Sequence, residues 1–234
     1  LAKKRQVRVV QGEAKFIGED SVEVICANGE KQTIRFKQCI VATGSRPIKL
    51  PFLPDDKRII DSTGALTLPM TKGKMLIIGG GIIGCEMATV YQALGMQVTV
   101  CEMLDQMMTG ADLDVVTPCI KRLQSQGVTL LTRTKVQRVQ AQTKQLKVTM
   151  ELPDGDHVEQ GYDLILQAVG RQSNADQINC EKAGIVCDEY GFIQADARSL
   201  RTSNPAVLAI GDIVGGYMLA HKATAQGRTA AEIV

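Results

Sequence analysis

The stretch KMLIIGGGIIGCEMATVYQALGMQVTVCE, residues 74–102, decides the fold of this chain. Its residues 75–78 form a continuous apolar run typical of a buried strand, residues 82–94 have helical spacing, and residues 97–102 form a second β-type run. A strand, a helix and a parallel strand make a βαβ unit. The sequence therefore predicts an α/β fold with a parallel sheet.

Three glycines in this stretch, Gly79, Gly81 and Gly84, form a GxGxxG motif between the strand and the helix. In that context Gly79 permits a tight turn, Gly81 lets the backbone approach a pyrophosphate, and Gly84 lets the helix and strand pack closely. The amide groups and positive dipole at the start of the helix stabilise phosphate charge. The motif therefore predicts a dinucleotide-binding site.

Glu102 closes the second strand and indicates which nicotinamide cofactor binds. Its carboxylate can accept hydrogen bonds from the adenosine ribose hydroxyls and would repel a 2′-phosphate. Residues 103–106 contain no Arg or Lys that would bind such a phosphate. The sequence therefore favours NAD over NADP. The alternative interpretation is a purely structural glycine turn followed by a solvated Glu102.

The pattern changes on either side of this unit. Before it, short alternating or β-branched runs indicate a small meander and then a buried strand, at residues 7–10, 21–26, 33–36 and 39–42. A proline-bearing linker covers residues 47–69. After it we expect a helix over 112–126, a strand over 128–131, an antiparallel meander over 135–151 with a hairpin near 153–155, and a strand over 164–169. A strand at 207–210, a turn at Gly211 and Asp212, and a helix after Leu219 complete the prediction.

The composition is that of an ordinary folded protein, because 44% of its 234 residues are hydrophobic and the formal net charge is +2. No long apolar run or single-sign charge block calls for a membrane or a nucleic acid as a partner, and we expect a cytoplasmic protein. The chain begins without Met and stops within a helical run, so we expect it to be part of a longer protein.

The cysteines show no metal-site or redox spacing. They are odd in number, include no CxxC pair and mostly lie in apolar runs, at Cys26, Cys39, Cys85, Cys101, Cys119, Cys180 and Cys187. Cysteine in such runs behaves as a small core residue. We therefore expect free thiols and no metal site.

Four motifs follow one another along the chain: ATGS at residues 42–45, GxGxxG with Glu86, AVGR at 168–171 and AIGD at 209–212. Together they resemble the pyridine nucleotide-disulfide oxidoreductase family over the whole chain. The resemblance implies a Rossmann-like NAD-binding domain, made of a parallel sheet and an antiparallel β-meander, inserted into a partial FAD-binding domain. The implied boundaries are 1–71 and 193–234 for the FAD side and 72–192 for the NAD domain.

The resemblance also assigns cofactor contacts to positions in this sequence. For NAD they are Gly79, Gly80, Gly81, Ile82, Ile83, Gly84, Cys85, Glu86, Glu102, Val136 and Gly170. For FAD they are Ala14, Thr43, Gly44, Ser45, Asp212, Met218, Leu219, Ala220 and His221. Only the resemblance singles out Val136. The chain departs from its relatives at Ala14, where Gly is common, and at Ser173, where Pro is usual.

The catalytic groups of the family have no counterpart in this sequence. Relatives use two cysteines separated by four residues and a His–Glu pair, but no two cysteines here have that spacing. We expect His157 to lie in a turn, and neither His157 nor His221 shows a catalytic partner. We therefore assign no catalytic residue in this chain.

The resemblance implies oxidation of protein-bound dihydrolipoamide through a disulfide and FAD, with reduction of NAD. The implied partners are the lipoyl-bearing acyltransferase of a 2-oxo acid dehydrogenase complex and a second subunit in a homodimer. A sibling reductase or a soluble transhydrogenase is a near alternative, although Glu102 argues against the glutathione-type reductases, which mostly use NADP. A non-catalytic NAD-binding module is an alternative of another class.

Overall fold

The structure is a computed structural model that describes residues 2–234. Its strands are β1 (Glu13–Gly18), β2 (Ser21–Ile25), β3 (Lys31–Arg35), β4 (Cys39–Val41), β5 (Ser45–Pro47), β6 (Ile59–Ile60), β7 (Lys74–Ile78), β8 (Gln97–Cys101), β9 (Thr129–Leu131), β10 (Lys135–Ala141), β11 (Leu146–Glu151), β12 (His157–Tyr162), β13 (Leu164–Gln167), β14 (Arg171–Ser173) and β15 (Val207–Ala209). Its α-helices are α1 (Ser62–Ala65), α2 (Ile82–Ala93), α3 (Leu113–Ser125) and α4 (Ala220–Ile233). No helix within residues 2–234 has both the length and the apolar character needed to cross a membrane.

The chain divides into two compact units. The central unit is Pro47–Gly170, and the terminal unit comprises the residues up to Arg46 together with Arg171–Val234. These limits differ from the predicted domain boundaries, because β6 pairs with β13 and so places the linker in the central unit. Ala175, Ile178 and Cys180 pack in one core with Phe16 and therefore belong to the terminal unit.

The central unit is built on a five-stranded sheet with the order β6-β13-β7-β8-β9, in which every neighbouring pair is parallel. An antiparallel meander, β10-β11-β12, comes before β13 in the chain. The predicted βαβ unit and the predicted meander are both confirmed.

Two hydrophobic clusters cover the two faces of this sheet. Met75 and Ile77 of β7 pack with Ala88 and Tyr91 of α2, whereas Leu76 of β7 packs with the meander. Successive side chains of a strand point to opposite faces, so a strand buried on both faces reads as a continuous apolar run. The central unit therefore has three layers: helices, parallel sheet and meander.

The terminal unit contains the antiparallel meander β1-β2-β3 and two short pairs, β15 with β4 and β14 with β5. The pairing of β4 with β15 is parallel. On one face of this pair, Val41 and Ala209 share a core with Ile213 and Phe16. On the other face, Leu208 packs with Ala230 of α4.

Three local predictions were wrong. Residues 7–10 form no strand within the part of the chain that the structure describes, and Val7 and Val9 are 58% and 64% exposed, because no neighbouring strand pairs with them. The expected turn at Asp212 is the start of a 3-10 helix, Gly211–Val214. His157 begins β12 instead of lying in a turn.

Candidate nucleotide-binding site

The predicted NAD residues lie at one edge of the central sheet. In a parallel sheet the carboxyl ends of all strands meet at the same edge, and β7 has β13 on one side and β8 on the other. The glycine turn follows β7, Glu102 follows β8 and Gly170 lies just beyond β13. The chain order reverses at β7, so this edge is the topological switch point at which such sheets bind ligands.

Close packing explains two glycines of the turn. Gly79 has a φ of +104°, and a Cβ there would collide with the carbonyl oxygen of Ala168. A Cβ on Gly84, in the first turn of α2, would collide with the carbonyl oxygen of Gly79. Both positions therefore require glycine, for the tight turn and the close helix packing that the sequence predicts.

Gly81 leaves the backbone at the start of α2 accessible, in a space that we call the cradle. It is the N-cap residue, no side chain caps the helix there, and nothing lies within 4 Å of the position that a Cβ would occupy. The first amide groups of a helix have no partner within the helix. An anion can therefore approach this backbone directly, as a pyrophosphate would.

Glu102 is held rigidly beside this turn. Its Oε2 accepts a hydrogen bond of 2.7 Å from the Gly80 amide, and its Oε1 accepts one of 2.9 Å from the Leu104 amide. An ionised carboxylate has about four acceptor sites, so acceptor capacity remains on each oxygen. The remaining capacity suits two neighbouring ribose hydroxyls.

A cavity of about 470 Å³ connects these features. Gly79, Gly81 and Gly170 lie on its walls with Glu102. Its apolar walls are formed by Leu50, Phe52, Ile78, Met103, Leu104, Val136 and Val169. An apolar pocket with a few convergent polar groups is typical of cofactor sites. The residues fit a dinucleotide with a planar base between apolar side chains and a ribose at Glu102.

The other predicted NAD residues lie in the first two turns of α2. Ile82 is 63% exposed and Glu86 is exposed, whereas Ile83 is half-buried. The Cys85 thiol is buried and donates to the Gly80 carbonyl oxygen, so its side chain faces the core. Burial raises the pKa of Cys85 to about 11.

Sequence reasoning missed the loop that supports the glycine turn. The Met108 amide donates a hydrogen bond of 2.7 Å to the Gly80 carbonyl oxygen. The Met107 side chain is 1% exposed, and its sulfur occupies the space that a Cβ on Gly80 would need. In the sequence, the only indication that this loop supports the glycine turn is the apolar pair Met107 and Met108 directly after the polar residues Asp105 and Gln106.

The predicted flavin residues Ser45 and Asp212 meet in the terminal unit. They follow β4 and β15, whose carboxyl ends lie at the same edge because the strands are parallel. The Ser45 hydroxyl donates a hydrogen bond of 2.7 Å to the Asp212 carboxylate. Arg171, which received no role from the sequence, donates to the Ser45 hydroxyl oxygen at 2.7 Å and to its carbonyl oxygen at 2.8 Å.

The remaining flavin residues are distributed around this pair. The carbonyl oxygens of Thr43 and Gly44 accept hydrogen bonds from Asn174. Met218 and Leu219 precede α4, and Ala220 and His221 begin it. Ala14 lies on β1, in another sheet of the same unit.

The seven cysteines are free, as predicted. Burial raises the pKa of Cys101 to about 12 and that of Cys180 to about 12. Since the thiolate is the reactive form, these thiols are poor nucleophiles at neutral pH.

Comparisons with known proteins give a consistent result. The sequence model of the family described as "Pyridine nucleotide-disulphide oxidoreductase" matches residues 1–227. A dihydrolipoyl dehydrogenase of Vibrio cholerae is 47% identical over 235 aligned positions, which cover 100% of this chain and 49% of the relative. The dihydrolipoyl dehydrogenase of Haemophilus influenzae is 44% identical, with 100% and 48% covered.

The fold comparison agrees. A solved Cu(II) complex of the HOCl-induced flavoprotein disulfide reductase from Escherichia coli is similar with a TM-score of 0.90 and 27% identity, over 99% of this chain and 52% of that one. The chain thus spans about half the length of the relatives it matches. The predicted cofactor classes, a flavin and a pyridine nucleotide, are those of this family. The chain belongs to the pyridine nucleotide-disulphide oxidoreductase family.

Proposed function

We propose that this chain is the NAD-binding region and part of the FAD-binding region of a dihydrolipoyl dehydrogenase. The central unit would hold NAD, and the terminal unit would contribute to the flavin site. We also propose the arrangement that the sequence predicts, in which the NAD domain is inserted into the FAD domain. The dihydrolipoyl dehydrogenases among its relatives support this reading, at 37–47% identity.

One observation carries the proposal: the Glu102 carboxylate is fixed by hydrogen bonds and lines an apolar cavity, beside a glycine turn whose backbone is open at Gly81. The turn and the start of α2 would bind the pyrophosphate, and Glu102 would accept hydrogen bonds from the adenosine ribose. Val136 would contact the adenine, and Gly170 would lie toward the nicotinamide. This arrangement favours NAD, because a fixed carboxylate repels a 2′-phosphate.

On the flavin side, Asp212 would accept a hydrogen bond from a ribityl hydroxyl of FAD. The Ser45 hydroxyl donates a hydrogen bond to the Asp212 carboxylate, and Arg171 in turn holds Ser45 by donating to its hydroxyl oxygen. Bound FAD would pass electrons from a substrate-derived dithiol to NAD. No residue of this chain is assigned the thiol or acid/base chemistry, since no two of its cysteines have the spacing of the family's redox pair and neither histidine shows a catalytic partner in the sequence.

The proposal also covers the substrate, the partner complex and the oligomeric state of the enzyme. The substrate would be a dihydrolipoamide on the lipoyl domain of an acyltransferase, within a cytoplasmic 2-oxo acid dehydrogenase complex. The enzyme would be a homodimer.

The first prediction concerns Glu102 and is tested by calorimetric titration of the protein at its natural length with NAD and with NADP. We expect NAD to bind more tightly. Glu102→Ala should weaken NAD binding about tenfold or more, because hydrogen bonds to a charged group contribute about 1.5–3 kcal/mol. A Glu189→Ala variant is the control, since Glu189 is exposed, makes no side-chain hydrogen bond in the described chain and is not a predicted NAD contact. Equal affinity for NAD in the Glu102→Ala and natural proteins would contradict the proposal.

Turnover gives an independent check. The protein at its natural length should oxidise dihydrolipoamide with NAD, whereas the 234-residue chain should not. Robust turnover by the 234-residue chain would show that the catalytic groups had been assigned wrongly.

A further inference from the structure

We propose that Lys135 is a second determinant of cofactor choice. Lys135 lines the same cavity as Glu102, and its ammonium group would pair with the 2′-phosphate of NADP if the Glu102 carboxylate did not repel that phosphate. The inference rests on the proposed function, because it assumes that the cavity of the central unit holds the adenosine half of a dinucleotide. On this proposal, NADP binding is disfavoured by the negative charge of Glu102 and not by the shape of the cavity.

Backbone hydrogen bonds place Lys135 next to Glu102. The Glu102 amide donates to the Leu131 carbonyl oxygen at 2.8 Å, and the Thr134 amide donates back to the Glu102 carbonyl oxygen at 3.0 Å. The Arg133 amide donates to the Leu104 carbonyl oxygen at 2.8 Å. Residues 131–134 therefore run alongside residues 102–104, and Lys135 is the first residue beyond them.

Lys135 and Glu102 line the same cavity. Lys135 is exposed, and within residues 2–234 no salt bridge engages its ammonium group. An ammonium group on a flexible four-carbon stem can move to meet an anion. The cavity therefore already contains a cation that is available to a phosphate.

Glu102 differs from Lys135 in mobility. Both carboxylate oxygens are held by backbone amides, those of Gly80 and Leu104, so the negative charge cannot move away from an incoming phosphate. Attraction by Lys135 and repulsion by Glu102 depend on charge and distance in the same way. The rigid carboxylate and the mobile cation thus oppose each other at one site.

This inference revises the reasoning from sequence, which searched for a cation only in residues 103–106. The structure instead brings a cation, Lys135 at the start of β10, to the wall of the cavity that Glu102 also lines. Neutralising Glu102 should be enough to admit NADP, because no cation has to be introduced.

The experiment measures dissociation constants for NAD and NADP by calorimetry, on the protein at its natural length. The variants are Glu102→Gln, Lys135→Met, the double variant Glu102→Gln/Lys135→Met, and Arg133→Met in the Glu102→Gln background. Arg133→Met is the matched control, because it removes the same charge two residues away while Arg133 is not among the described residues that line the cavity.

We expect Glu102→Gln to bind NADP about tenfold more tightly than the natural protein does, since a charge-assisted phosphate contact is no longer opposed. Lys135→Met should remove most of that gain, and Arg133→Met should leave it in place. Screening by salt should reduce the gain, because the contact is exposed. In the natural background, Lys135→Met should weaken NADP binding more than NAD binding.

The outcomes separate this inference from the proposed function. If the natural protein does not bind NAD, the proposed function fails. If it binds NAD but Glu102→Gln gains no affinity for NADP, or keeps its gain without Lys135, the role of Lys135 is refuted and the proposed function stands. Thermal melting shows whether each variant is folded. If Glu102→Gln is not folded, the Lys135→Met change in the natural background decides, and an equal loss for both cofactors overturns the inference.

Discussion

At the scale of single residues, substitutions at Gly81 and Gly84 should distinguish an effect on cofactor binding from an effect on stability. A Cβ on Gly84 would collide with the Gly79 carbonyl oxygen, whereas a Cβ on Gly81 would meet nothing within 4 Å. Gly84→Ala should therefore lower the free energy of unfolding by about 1–3 kcal/mol, as overpacking does. Gly81→Ala should change it by less than about 1 kcal/mol, since the backbone there is extended and only an N-cap preference is lost.

The same pair should behave in the opposite way toward NAD. The methyl group of Gly81→Ala would fill the cradle through which a pyrophosphate reaches the backbone, so NAD affinity should fall at least about tenfold in a folded protein. Urea denaturation and calorimetric titration measure the two effects. Unchanged NAD affinity in Gly81→Ala would place the pyrophosphate elsewhere.

At the scale of elements, the segment between β8 and α3 supports the glycine turn. Met107 is 1% exposed against Gly80, and Met108 bonds the Gly80 carbonyl oxygen. Met107→Ala should cost about 2–5 kcal/mol of stability, because it leaves a cavity in a packed site. It should also weaken NAD binding, since the turn loses its lateral support.

Met107→Leu is the matched control, because it conserves volume and should cost less than about 1.5 kcal/mol. Both variants are compared by urea denaturation and NAD titration under conditions in which they are folded. If Met107→Ala loses stability but binds NAD like the natural protein, the loop supports the fold and does not position the turn.

At the scale of the whole molecule, the reactivity of two buried thiols indicates when each compact unit unfolds. Burial raises the pKa of Cys101 in the central unit from 9.0 to about 12, and that of Cys180 in the terminal unit likewise to about 12. Alkylation by iodoacetamide at pH 8 should therefore be slow until each unit unfolds. We expect Cys180 to react at lower urea than Cys101, because the terminal unit has a parallel sheet of two strands and the central unit has one of five.

The same thiols set a direction for the pH dependence of stability. The unfolded chain releases these protons near pH 9.0, whereas the folded chain holds them until about pH 12. Stability contributed by the protonated thiols is therefore complete below pH 9 and falls as the pH rises through that window. Mass spectrometry of alkylated peptides and melting curves at high pH check the two expectations. Simultaneous labelling of Cys101 and Cys180 would show that the units unfold together.

Local pattern was sufficient for the βαβ unit at the centre of the parallel sheet. Strand β7 is predictable from its continuous apolar run, helix α2 from its helical spacing, and the turn between them from its glycines. Each of these signals involves only residues that are close in sequence. Glu102 was identified in the same way, from its place at the end of β8. Residues 7–10 show the limit of such reasoning. Their β-branched pattern has no neighbouring strand to pair with, and β-propensity does not specify a partner.

The sequence by itself determined the βαβ unit, the antiparallel meander, and the glycine turn with its carboxylate. Only the tertiary structure decided that Met107 supports that turn, that Lys135 shares a cavity with Glu102, and that Arg171 holds Ser45. These contacts join residues that are far apart in the sequence, or that lie in a loop without hydrophobic periodicity. Their proximity follows from the order in which the parallel strands pair and from which of their ends meet, and no local pattern carries that information.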